Sequence, residues 1–244
     1  MEIVTLTQRP ELIHAHWDLT SSWPEFMLED PIADLYYSQL DVWSDFALLA
    51  LDGEEIIARG FSVGFAMGDD IGRRDLPGDG WDGVVRWSWL DRIAGRAPTH
   101  VSALEVTVGG DRRGTGIATE MVRAMIRNTD RLGFRQMAAP VRPIDKQHEP
   151  GTSMSEYAWR IRSDGLPADG WMRIHARLGA ETHAVCPNSM VISGPLDQWR
   201  TWTGLPFDES GEVTVPGALV PVHVDIAQNH AVYVEPNVWM VHRW

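Results

Sequence analysis

A chain of 244 residues with 44% hydrophobic content is long enough to bury a sizeable core, as one large domain or a domain with a substantial addition. Its formal charge of −13 disfavours nucleic acid and anionic membranes as partners, the Arg112 to Arg135 region being only a small basic patch. One cysteine, Cys186, excludes an intramolecular disulfide framework and a cysteine-cluster zinc site. No apolar stretch reaches bilayer-spanning length, and MEIVTLTQRPEL lacks a basic segment followed by an apolar run, so a soluble cytoplasmic protein is expected.

In chain order, alternation from Glu2 to Thr7 predicts a short strand, and Pro10 opens a helix through His16 and Trp17. His14 and His16, two apart, diverge on a helix, which argues for surface histidines and against a metal site. Asp30 and Pro31 cap a second helix through Leu35, Tyr36 and Leu40, ending near Ser44. FALLALDGEEIIARGFSVGFAM reads as a hairpin turning at Asp52-Gly53. The Gly-, Asp- and Pro-rich run from Gly68 to Gly83 reads as a mobile loop, a lid or a plain connection, before the helix VVRWSWLDRI.

The stretch Val101 to Leu132 organises the chain. Leu104, Val106 and Val108 alternate as in a strand, while Ile117, Met121, Val122, Met125 and Ile126 recur at helical spacing, with Arg123, Arg127 and Arg131 on another face. Between them, GGDRRGTGIA combines glycines that permit close backbone approach with a helix start whose N–H groups lack partners, a geometry that favours a phosphate. The plain alternative is a loop that merely turns the chain.

Gly133 then stops the helix, and FRQMAAPVRP forms a strand ended by Pro140 and Pro143. Helices are expected over Ser153 to Arg162 and, started by Pro167, over WMRIHARL up to Gly179. AETHAV and SMVISG follow as two strands, LDQWRTW as a short helix, and ALVPVHVDI and HAVYVEPNVWMVH as strands hydrophobic enough to pack onto the domain. Twelve tryptophans either line a pocket or serve packing.

Strand, Arg113-Gly114-Thr115-Gly116-Ile117-Ala118 and helix resemble the acyl-CoA-binding motif of the GCN5-related N-acetyltransferase (GNAT) superfamily, whose pattern Arg/Gln-x-x-Gly-x-Gly/Ala is met by Arg113, Gly116 and Ala118. Val141-Arg142-Pro143 is similar to the end of the family's fifth strand, with Asp145 standing where asparagine is common. WMRIHARLGAE resembles the next helix, where the family's general-acid tyrosine, four residues before the closing glycine, corresponds to His175. The resemblance implies an α/β (α+β) GNAT fold, a mixed, mostly antiparallel central sheet flanked by helices. It divides the chain into a GNAT-like domain over 1–194 and a C-terminal extension over 195–244 packed on it.

The implied chemistry is transfer of an acyl group from acetyl-CoA or another acyl-CoA, without a metal. Val106 and Val108 border the pantetheine. Backbone groups of Gly114, Thr115, Gly116, Ile117 and Ala118, with Arg112 and Arg113, receive the pyrophosphate. Transfer to an amine needs a neutral amine, a polarised thioester and a proton for the departing thiolate. His175 is the proton donor expected, its plain alternative being a helix histidine packed on Trp171 and Leu178. Glu105 is the first choice of base and His100 the second; Glu105 as a partner of Arg112 is the alternative. Cys186, beside Pro187 with no neighbouring base, is not expected to act as a nucleophile.

The favoured acceptor is a small-molecule amine. Histidine in place of tyrosine also resembles GNAT-like domains that decarboxylate malonyl-CoA or pass an acyl group to a carrier-protein thiol, and a non-catalytic acyl-CoA-binding module is the third reading. An acyl carrier protein and a second copy of the chain are therefore further partners considered. The segments expected to shape the acceptor pocket are Gly68 to Gly83, Lys146 to Gly170 and the tail from Pro195.

Overall fold

The computed structural model describes residues 1–19 and 23–244. In chain order the elements are β1 (Glu2–Thr5), α1 (Ala33–Tyr37), β2 (Ala47–Asp52), β3 (Glu55–Phe65), α2 (Gly80–Ile93), β4 (His100–Val108), α3 (Ile117–Arg131), β5 (Gln136–Val141), α4 (Met154–Tyr157), α5 (Gly170–Arg177), β6 (Ala180–Pro195), α6 (Leu196–Thr203), β7 (Gly211–Val213), β8 (Val222–Asp225) and β9 (His230–Arg243). Among the described residues no helix is long and apolar enough to cross a membrane.

The expected mixed, mostly antiparallel sheet is present. Its order is β1-β2-β3-β4-β5-β9-β8-β7, with β6 along β9; β4 and β5 form the parallel pair, and the other pairs are antiparallel. The β2–β3 hairpin turns at Gly53, whose φ of +64° is a conformation glycine adopts at no steric cost. Two hydrophobic clusters cover the two faces of the sheet. On one, α3 seats Met121, Val122 and Met125 at 0 to 1% exposure, each side chain contributing about 1.5–3 kcal/mol by leaving water, and α4 and α5 join it through Tyr157 and Met172. On the other face α1, α2 and α6 pack Tyr36, Trp81, Val84 and Trp199 against Phe61, Leu104 and Tyr233.

Several local expectations are corrected. Pro10 to Trp17 forms two 3-10 turns, Pro10–Ile13 and Ala15–Asp18, rather than one helix, and His16 is fully buried rather than at the surface. The second helix stops at Tyr37 and gives way to a 3-10 stretch, Leu40–Phe46; Asp30 still caps its approach, with Oδ1 accepting the Ile32 N–H at 2.8 Å. Of Ser153 to Arg162 only Met154–Tyr157 is helical, with Ser153 as its cap. The following helix begins at Gly170, not Pro167, because the Asp169 carboxylate takes the N–H groups of Trp171 and Met172. Pro140 lies inside β5 rather than ending it.

The largest revision is in the C-terminal third. AETHAV and SMVISG are one strand, β6, interrupted by an irregularity between Cys186 and Met190. The last strand, β9, lies between β5 and β6, with Met137↔His242 on one side and Ala180↔His242 on the other. Residues beyond 194 are thus built into the central sheet itself. The loop before α2 is tied down: Gly68 bridges Arg73, Arg73 reaches the Ala66 carbonyl and Asp91, and Trp239 donates its indole N–H to Pro77 O.

Candidate active site

Sequence places the binding loop between β4 and α3, and geometry opens the space beside it. β4 and β5 pair only at Val101↔Met137 and Ser102↔Ala138, after which the strands part. A cavity of about 450 Å³ occupies the gap. Its wall draws on both faces of the sheet: Ala103, Val122, Met125, Ala139 and Val141 come from the α3 face, and Trp23, Trp81, Leu104 and Met190 from the α2 face. The cavity therefore passes through the sheet. β4 is bulged there, since Phe61 pairs with Glu105 and Ser62 with Ala103, leaving Leu104 without a partner on β3. The Trp81 indole fixes that bulge by donating to Leu104 O at 3.0 Å.

At the α3 end, Val106, Val108, Arg113 and Ala118 line the cavity. Gly114 and Gly116 have φ of +76° and +88°, and no side chain caps α3, so its first N–H groups stay available to an anion. Thr115 is exposed and donates its hydroxyl to Arg112 O at 2.6 Å. The Arg112 guanidinium meets Asp52, Glu55 and Asp111 at 3.0 to 3.4 Å, tying the loop to the β2–β3 hairpin. Arg113 is exposed and stands on the cavity wall.

Glu105 also borders the cavity, but its carboxylate is already engaged. It accepts from Arg59 Nε at 2.8 Å, Tyr37 O–H at 2.5 Å and Thr107 O–H at 2.5 Å. Arg59, not Arg112, is its ion-pair partner, and Arg59 in turn donates to His16 O at 3.0 Å. Burial, with the Arg59 guanidinium next, pushes His16 down to about 4. His100, the second choice of base, is excluded from the site. It lies at the far end of β4, packed on Phe65, beside a separate pocket of about 160 Å³.

His175 does reach the cavity. α5 is aimed by its cap, because Asp169 Oδ2 also accepts the Asp145 N–H, while Asp145 Oδ2 accepts the Gly170 N–H. The ring is 3% exposed and lies edge-on to Trp171, with centroids 4.9 Å apart. Its Nδ1 is 3.0 Å from His242 Nε2 on β9, and His242 Nδ1 is 3.3 Å from Leu178 O. Burial, and His242 beside it, pushes His175 down to about 3, so the ring is neutral at physiological pH.

Sequence reasoning missed Trp23, Met190, Asn237 and His242. Twelve tryptophans were signal enough for a pocket, and three of them, Trp23, Trp81 and Trp171, line it. His242 had only the weak signal of a histidine within an apolar strand. The segments expected to shape the pocket contribute little: Trp81 from the first, Gln147 from the second and Asn237 from the tail. Among the described residues no group of three His, Cys, Asp or Glu side chains is arranged to hold a metal ion.

No protein-family model matches the chain. It is 31% identical to the arginine N-acetyltransferase avaD of Aspergillus versicolor, over 98% of this chain and 92% of that protein. In fold it is similar to the GphF GNAT-like decarboxylase in complex with isobutyryl-CoA, with a TM-score of 0.58, 14% identity and coverage of 100% and 99% of the two chains. It is also similar to the loading GNATL domain of CurA from Lyngbya majuscula, with a TM-score of 0.52, 11% identity and coverage of 88% and 95%. With that sheet, the loop on α3 and a near full-length relative at this identity, the chain belongs to the GCN5-related N-acetyltransferase superfamily and is an acyltransferase that draws on acyl-CoA.

Proposed function

We propose that this protein transfers an acetyl group from acetyl-CoA to the amine of a small cationic acceptor of the arginine type. The observation that carries this reading is the cavity that crosses the sheet. Its α3 side offers an uncapped helix start for phosphate and an apolar slot for pantetheine, and Trp23, Trp81, Leu104 and Met190 on its α2 side border the space left for the second substrate. Arg113 and the backbone from Gly114 to Ala118 hold the pyrophosphate, and Val106 and Val108 border the pantetheine. Trp81 lines the acceptor side with Trp23, whose ring already carries the Arg142 guanidinium at 5.5 Å, and a chain charge of −13 favours the approach of a cation. The named activity of the 31% identical relative supports an amine acceptor, whereas the decarboxylase and the loading domain are matched in fold alone. The reading requires neither a carrier protein nor a second copy of the chain.

Incubation with acetyl-CoA and arginine, followed by release of the CoA thiol and by mass spectrometry of the acceptor, tests it. Acetylated arginine or a close amine analogue is expected. Absence of acetylation across a panel of such amines overturns the reading, and loss of carbon dioxide from malonyl-CoA in the same protein replaces it with loading-domain chemistry. Binding of acetyl-CoA without turnover of any donor would leave a binding module.

A further inference from the structure

The histidine pair at the cavity wall has a definite proton arrangement. A carbonyl oxygen only accepts hydrogen bonds, so the contact between His242 Nδ1 and Leu178 O places a proton on His242 Nδ1. In the neutral ring His242 Nε2 is then an acceptor, and the 3.0 Å contact to His175 requires the proton to sit on His175 Nδ1. His175 Nε2, at the other end of its ring, is left with a lone pair. Among the described residues the buried side-chain polar atoms without a partner are His16 Nε2, Asp30 Oδ2, Trp43 Nε1 and Asp82 Oδ1. His175 Nε2 is not one of them, and the open space its ring borders is the cavity.

We propose that His242 is a positioning residue that locks His175 in the Nδ1–H tautomer, so that His175 Nε2 meets the acceptor amine as a proton acceptor. This rests on the acyl-transfer reading above. It precedes the donor role the family alignment implies with an accepting one, because a ring with no proton on Nε2 must first take one from the amine before it has one to give to the thiolate. The steps balance as follows. The amine nitrogen forms a bond to the thioester carbon, the carbon–sulfur bond breaks, and one proton leaves nitrogen for His175 Nε2. The same proton then passes from Nε2 to the CoA thiolate, and the neutral ring returns. A low proton affinity suits this traffic, since the nitrogen of the tetrahedral adduct is far more acidic than a free ammonium. Burial and His242 alone account for the lowered affinity, and no carboxylate or cation contributes to it. Three elements converge on the device: α5 carries His175, the turn after it supplies Leu178 O, and β9 supplies His242 from 67 residues away.

Two variants and one spectrum test the inference. His242→Gln keeps an oxygen to accept from His175 Nδ1–H and an N–H to donate to Leu178 O, and it is expected to retain most of kcat. His242→Phe removes both, and kcat is expected to fall roughly 10²-fold with the KM for acetyl-CoA unchanged. Nitrogen-15 NMR of the imidazoles in the unaltered protein is expected to show His175 protonated at Nδ1 and unprotonated at Nε2 from pH 8 down to pH 5. An Nε2–H signal for His175, a charged ring near neutral pH, or a folded His242→Phe enzyme with unchanged kcat overturns the proposal. A His242→Gln enzyme as impaired as His242→Phe overturns it equally. If no amine is acetylated the acyl-transfer reading fails, while the spectrum still decides the tautomer.

Discussion

Replacing Glu105 with glutamine separates a structural role from a catalytic one. Glu105 and Arg59 have side chains 2% and 6% exposed, and their 2.8 Å contact is the charge balance for a guanidinium that water does not reach. Glu105→Gln removes the negative charge and turns an amide N–H₂ toward the Tyr37 and Thr107 hydroxyls that now donate to the carboxylate. Breaking one side of a buried pair typically costs about 3–5 kcal/mol, because the remaining charge stays buried without compensation. For a domain of 244 residues, at roughly 2 °C per kcal/mol, Tm should fall by about 6–10 °C. Thermal unfolding followed by circular dichroism, run beside a steady-state assay on the same preparation, measures both quantities. Arg59→Met combined with Glu105→Leu should recover most of the lost Tm, since an apolar pair of similar volume relieves the unpaired charge. A Tm within about 2 °C of the parent together with a collapse of kcat would refute this reasoning and restore Glu105 as the base.

The remaining expectations concern the loop, acid and the cysteine. Arg113→Ala should weaken CoA binding roughly 10- to 100-fold by calorimetry, the worth of a charge-assisted bond to phosphate, and Gly116→Asp should add strain at a φ of +88° and a repelling charge. Arg112→Ala should leave CoA affinity nearly unchanged, because three carboxylates already hold that guanidinium; equal losses from both arginines would contradict the division. His175 takes up a proton near pH 6.5 when unfolded but only near 3 when folded, so its contribution to stability is full above pH 6.5 and is lost as pH falls toward 3. That amounts to about 2 kcal/mol by pH 5, and urea midpoints at pH 7 and pH 5 should differ less in His175→Gln than in the parent. Cys186 is fully buried and its thiol is pushed up by burial, so iodoacetamide should label it only after unfolding; rapid labelling of the native protein would contradict its placement.

What the sequence disclosed was local. The hairpin at Asp52-Gly53 and the run from β4 through the glycine loop into α3 are legible because each is settled by residues a few positions apart: a turn dipeptide, an alternation of two and an apolar period near 3.6. Residues 146 to 169 were illegible for the opposite reason. They are held by scattered side-chain bonds and a lone bridge, such as Lys146 Nζ to Leu219 O 73 residues away and Ile161 with Pro167, and such contacts leave no period in the sequence. The 3-10 turns at Pro10–Ile13 and Ala15–Asp18 carry a helical start signal but end within one turn, before a 3.6-residue repeat is established.

The site was half legible along the same line. Arg113, Gly116, Ala118 and His175 lie on segments whose spacing matched a motif, and each stands at or beside the cavity. What the motif did not carry is the environment that assigns their chemistry. Glu105 looks like a free acid until Arg59, 46 residues away in sequence, is seen to own it. His175 stands alone in its segment until β9, entering the sheet from the chain's last residues, brings His242 to its Nδ1. In both cases a neighbour holds the residue's polar atoms, and that neighbour arrives through strand pairing rather than through local sequence. The same pairing sends Asn237 and Met190 into the α2 side of the cavity with Trp23 and Trp81, so acceptor choice should follow substitutions at these four residues more closely than changes in the loop before α2.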